Sequence, residues 1–158
     1  MAEERLATLV RLLDSTWSEE GWHPPMLAAV EGLSAAQAAW RAAPGALTAW
    51  QFVNHVAFWK ESAARRLTGQ PRLPGEDDND ATFGAPGDGA DEADWRAAVA
   101  RLKSAHATLR ERAAGLTDTD LADPEREALV LGVATHDAYH GAEIVQLRKL
   151  QGAWPVSR

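Results

Sequence analysis

The sequence predicts an all-α fold, a four-helix bundle with a long loop between its second and third helices. Three observations carry that expectation. Apolar residues recur every three to four positions along four long stretches, the period of a helix with one buried side. Alanine is plentiful and runs of β-branched residues are few, which favours helix over strand. Segments rich in glycine and proline separate the stretches and act as their stops. With 158 residues and no internal repeat, the chain reads as one domain, residues 1–158, able to bury a sizeable core.

Leu6, Leu9, Val10, Leu13 and Trp17 share one helical face and place the first helix over residues 3–17. "SEEGWHPP" interrupts it, "MLAAVEGL" gives a short helical segment ending at Gly32, and Ser34 with Gln37 has capping-box spacing for one more turn. Thr48 can cap a second long helix that runs to about Thr68, stopped by Gly69 and Pro71. Phe52, His55, Trp59 and Ser62 fall on one of its faces. "PRLPGEDDNDATFGAPGDGADEAD" then reads as a solvated loop, since no register gives its carboxylates EF-hand spacing. Asp94 or a nearby acid opens a third helix, in which Trp95, Val99, Leu102, His106, Leu109 and Ala113 line up before Gly115. Asp123 and Pro124 open a fourth, because proline suits the first helical position. It should reach about Gln151, with Leu129, Val133, His136, His140, Ile144 and Leu147 as its buried stripe.

The net charge of −7 repels a phosphate backbone, and the densest basic stretch, "ARRLTGQPR", suits the last turn of a helix better than a nucleic-acid patch. Nucleic acid is therefore not an expected partner. The chain has no cysteine, so disulfides and thiolate ligands are excluded and any metal must take nitrogen or oxygen donors. "MAEERLATLV" is acidic and amphipathic and lacks a long apolar run, which makes a cytoplasmic protein without membrane partners the expectation. Seven tryptophans are spread along the chain instead of forming one cluster, as core and rim residues.

The stretch "HDAYHGAEI", residues 136 to 144, carries the chemistry. Residues four apart in a helix lie ~40° apart around the axis and ~6 Å along it, so His136 and His140 can face one ion. Both lie in the apolar stripe, where neutral imidazoles need partners and a shared cation supplies one. A catalytic ion usually takes three protein ligands. Periodicity offers His55 and His106 equally as the third, while His23 falls in a proline-flanked loop and is expected to be exposed. Glu143 follows His140 by three positions and His136 by seven, on or beside the same face. There a carboxylate could ligate, orient a ligand or move a proton; the plainer reading is a solvent-facing helix carboxylate. Asp137 and Tyr139 point ~100° away from their histidine neighbours, which suits support or interface roles.

"TAWQFVNHVAFWKE", "GVATHDAYHGAEIVQLRKL", the closing "GAWPV" and "GLSAAQAAWRAAPGALT" together resemble the DinB/YfiT-like superfamily of bacterial four-helix-bundle metalloproteins, over nearly the whole chain. That family is unrelated to the DNA polymerase that shares the DinB name. The resemblance implies a divalent metal held by His55 from the second helix and by His136 and His140 from the last, and gives His106 and His23 no part in the site. The zinc, nickel, iron or manganese ion would sit on three imidazoles. The sequence departs from the family pattern at Ala142 and Glu143, where members usually carry glycine and glutamine. Family members of known activity include transferases and isomerases that use a low-molecular-weight thiol such as bacillithiol or mycothiol. The resemblance thus implies a thiol-dependent transferase acting on a small-molecule electrophile, and a homodimer; Glu143, placed beside the site face by its spacing, is the candidate catalytic residue. A metal-dependent hydrolase and a non-catalytic metal-binding stress or interaction protein are the competing readings.

Overall fold

Capping side chains start the helices close to where the sequence puts them. The computed structural model describes residues 2–155, so Val156 of the closing "GAWPV" lies outside it. Regular structure among the described residues is entirely helical: α1 (Ala2–Trp17), α2 (Met26–Val30), α3 (Ala35–Ala38), α4 (Ala49–Leu67), α5 (Glu92–Ala114), α6 (Asp118–Leu121) and α7 (Pro124–Leu150), with a 3-10 turn at Asp80–Phe83. Ser34 with Gln37 and Thr48 with Gln51 form complete capping boxes. Asp91 caps α5, so that helix begins slightly earlier than Asp94, and Asp123 caps α7 with Pro124 at its first position. The extra turn α6 was not expected. Its start is a further capping box, Thr117 with Asp120.

The long helices α1, α4, α5 and α7 form the bundle: α4 packs on α5 and α7, and α1 packs on α7 and α5. The apolar core falls into two clusters. One contains Met26, Trp50, Val53, Val56, Trp95, Leu102, Ile144 and Val145, and the other contains Leu9, Leu13, Leu67, Leu109, Leu121 and Val130. Among the described residues, no helix is long and apolar enough to cross a membrane. The tryptophans divide as core and rim, with Trp50 and Trp95 buried and Trp22 fully exposed.

Between the clusters lies a polar layer that the sequence reading did not identify as such. Lys60 of α4, at 0% exposure, meets Asp137 of α7, also at 0%, with 2.5 Å between Nζ and Oδ2. The same ammonium donates to Nδ1 of His106 on α5 at 3.1 Å, and the His106 ring stacks on Trp17 of α1 with centroids 4.1 Å apart. All four long helices are thereby joined through one buried cation. Burial pushes the lysine pKa down and the aspartate pKa up, each opposed by the other's charge. Burial, helped by the lysine, also holds the His106 pKa down at about 3, which keeps that ring neutral and able to accept.

The connection from α4 to α5 departs from the solvated loop expected. Glu76 and Thr82 are buried; the Glu76 carboxylate accepts from Ser62 Oγ at 2.5 Å and from the backbone N–H of Leu73 at 2.7 Å. Thr48 Oγ1 donates to the Pro86 carbonyl and Gln51 Nε2 to that of Gly84. Gly87 sits at φ +88° with its Cα against the Trp50 ring, where an added Cβ would stand 2.3 Å from ring carbons. Only glycine fits there. The loop is thus laid along α4 by hydrogen bonds that its acidic composition did not announce.

Removing the cation alone leaves a carboxylate stranded in the core. Lys60→Met is expected to lower unfolding free energy by about 3–5 kcal/mol, and the pair Lys60→Met with Asp137→Leu to recover most of it, as read by urea unfolding. A double variant no more stable than the single one contradicts this account of the layer.

Candidate metal centre

Three imidazoles from two helices converge beside the polar layer. One ligand-capable atom from each of His55, His136 and His140 lies within 4.8 Å of the others, and Nε2 of His55 stands 3.0 Å from Nε2 of His136. The ring centroids are 4.4 to 4.9 Å apart. Helical geometry explains the α7 pair, whose four-residue spacing stacks the rings on one side of the helix. His55 reaches them because α4 lies directly against α7.

Proton bookkeeping fixes which nitrogens face inward. Thr82 Oγ1 donates its one proton to the Asn79 carbonyl at 2.6 Å, so at the 2.6 Å contact with His55 it must accept, and His55 Nδ1 carries the hydrogen. His55 Nε2 is then a bare lone pair. Glu143 Oε2 lies 2.6 Å from His140 Nδ1 and is an acceptor, which assigns the His140 proton to Nδ1 and leaves Nε2 free. Phe83, next to Thr82, stacks on the His55 ring at 3.8 Å and within 3° of parallel, so the 3-10 turn holds both the edge and the face of that ring.

Burial keeps two of the rings, His55 and His136, uncharged. Burial, with the neighbouring His140 second, lowers the His55 pKa to about 4, and burial with the other two histidines and Lys60 lowers that of His136 to about 3. Neutral imidazoles are what a metal requires. Without an ion, one feature of the cluster is unfavourable: the facing Nε2 atoms of His55 and His136, 3.0 Å apart, share at most one proton. Tetrahedral zinc with nitrogen ligands at 2.0–2.1 Å sets those nitrogens about 3.3 Å apart, close to the spacing present. The donor set fits a divalent ion with one or more positions left for an exogenous ligand.

The other sequence candidates fall elsewhere. His106 is buried in the polar layer and His23, half-buried instead of exposed, lies 3.1 Å by Nδ1 from the Pro24 carbonyl; neither joins the cluster. Asp137 points to Lys60, and Tyr139 is 65% exposed with its ring 4.9 Å from His140. Thr82 and Phe83 are the residues that sequence reasoning missed. Their available signal was an apolar "ATF" inside an otherwise acidic, glycine-rich loop.

A cavity of about 510 Å3 opens between α4 and α7 and has His136 in its wall, together with Trp59, Arg66, Asn79 and Leu129. The centre is thus reached from one side. Residues 19–144, which contain all three histidines and Glu143, match the family model of the DinB superfamily. The chain belongs to the DinB superfamily. No curated protein and no solved structure matches it. In this DinB member the match begins after α1 and takes in α4, the 3-10 turn and α7 as far as Ile144, and so every residue of the histidine cluster.

One equivalent of divalent metal per chain is the expected result of elemental analysis after metal loading and dialysis. His136→Ala should abolish retention, and Thr82→Val should weaken it by about tenfold, the low end for removing an outer hydrogen bond to a ligand. Normal retention in His55→Ala alongside loss in His106→Ala would refute the ligand set.

Proposed function

We propose that this single-domain chain is a metal-dependent transferase that joins a low-molecular-weight thiol, such as bacillithiol, to a small electrophile. The observation that carries the reading is the cavity that reaches His136, since a site built only to store a metal has no need of a chamber beside its ligands. When bound, the ion supplies positive charge that lowers the pKa of a thiol at an open position. The chain's own residues do the rest. Thr82 and Phe83 hold His55 in its tautomer and plane, and Glu143 does the same for His140. Glu143 is also the base of the proposal. Its side chain is 37% exposed, so it can take the S–H proton and return it to water. The sulfur then forms the new bond to the electrophilic carbon while the leaving group departs with its electron pair. With no cysteine in the chain, the nucleophilic sulfur comes from outside.

The test loads the protein with zinc, nickel, manganese or iron and follows loss of bacillithiol, mycothiol, glutathione or coenzyme A thiol against model electrophiles. Metal-dependent turnover that vanishes in His140→Ala is expected. Ester or amide hydrolysis needing the same histidines, without thiol consumption, would replace the transferase by a hydrolase; neither activity would favour a metal-binding protein without turnover.

We also propose a cytoplasmic homodimer. Leu131, Tyr139 and Leu150, all exposed along α7, supply apolar surface that supports pairing. Light scattering should give twice the 17.1 kDa chain mass at micromolar concentration, and a monomer mass throughout that range counts against it.

A further inference from the structure

The basic stretch at the end of α4 divides by function. Arg65 donates to the Pro71 carbonyl at 3.0 Å, and Arg72 donates to Glu76 at 2.6 Å, so both serve the loop. Arg66 does neither. It is half-buried in the wall of the cavity that reaches His136, and among the described residues no ion pair or side-chain hydrogen bond engages it. The side-chain amide of Asn79, in the same wall, is equally uncommitted. Trp59, Leu129 and Val133 supply apolar lining between these polar groups and the histidine. An arginine left without a partner in a partly desolvated chamber is an open site for an anion, because its planar fork offers paired donors.

We propose that Arg66 anchors a carboxylate on the small molecule that the metal centre acts on, an inference that rests on the transferase reading. Charge selects carboxylate over phosphate: the wall also carries Glu125, and the chain's net charge is −7, so a monoanion is repelled less than a dianion. Asn79 donates a further hydrogen bond to the same group. Helix geometry sets the length of the ligand. Arg66 lies eleven residues beyond His55, about 16 Å along the axis, and an arginine leaning towards its helix N-terminus shortens the gap to roughly 10 Å. A molecule with its reacting atom at the centre and its carboxylate on Arg66 therefore has an apolar or weakly polar body of about eight bonds.

The test uses cobalt-loaded protein, in which thiolate coordination is read from its charge-transfer absorption, without turnover. The probes are 8-mercaptooctanoate, 8-mercaptooctanol and the shorter 3-mercaptopropionate. The proposal expects the octanoate to bind about tenfold more tightly than the alcohol and than the short acid, and this preference to vanish in Arg66→Gln while affinity for the alcohol is unchanged. Glu125→Gln should strengthen carboxylate binding. Equal affinity for acid and alcohol, or a preference that persists in Arg66→Gln with an unaltered melting curve, overturns it. Should no thiol ligate the cobalt, the transferase reading falls. Calorimetry with suberate monohydroxamate and octanohydroxamate, which need no thiol, then decides Arg66 by the same comparison.

Discussion

A hydroxyl group has one proton to give, and the centre depends on where Thr82 spends it. The Asn79 carbonyl takes that proton, which obliges Thr82 to accept from His55 and turns the Nε2 lone pair of His55 towards His136 and His140. A serine or threonine free to rotate would leave both tautomers available. Here the 3-10 turn makes the choice through its own backbone carbonyl, and the stacked Phe83 ring prevents the imidazole from turning out of plane. Burial opposes protonation of His55 and His136, and carboxylate or hydroxyl partners hold two of the cluster's outer nitrogens.

The same layer of the bundle carries a second set of constraints. Lys60, Asp137 and His106 interrupt an otherwise apolar interior, and desolvating each charge costs several kcal/mol before their attraction offsets it. Such a contact adds little net stability compared with packed leucines. What it does is geometric. The ammonium reaches Asp137 and His106 at once only when α4, α5 and α7 share one axial setting, and Asp137 adjoins His136 in sequence. The setting that satisfies the lysine is therefore also the one that places His55 opposite the α7 pair.

The helices were legible because their signals are local. Capping boxes at Ser34 and Thr48, the Asp123–Pro124 start and the apolar stripes identify their elements without reference to the rest of the chain. The two α7 histidines were legible for the same reason, as their spacing is the helical repeat. Choosing His55 over His106 was not, since both lie on buried faces and only the packing of α4 on α7 separates them; the family pattern, not periodicity, made that choice. Lys60 was visible in principle, lying in register with Val53, Val56 and Ala63, but its partners come from residues 46 and 77 positions away. Thr82 escaped because its role is set by a contact 27 residues distant, within a segment whose composition describes solvent exposure.

The α4 to α5 connection consequently has two kinds of length. Around Pro71 and Asp77 the backbone lies at the surface, and added residues could bulge outward without moving anything that faces the histidines. Between Asn79 and Gly87 the spacing is metric: Thr82 must meet His55, Gly84 and Pro86 must offer their carbonyls to Gln51 and Thr48, and Gly87 must clear Trp50. One residue inserted there would shift every later contact by about 3.5 Å, more than any of those hydrogen bonds can stretch. The nine residues from 79 to 87 thus behave as a fitted part of the centre, whereas the stretch before them can change length without disturbing it.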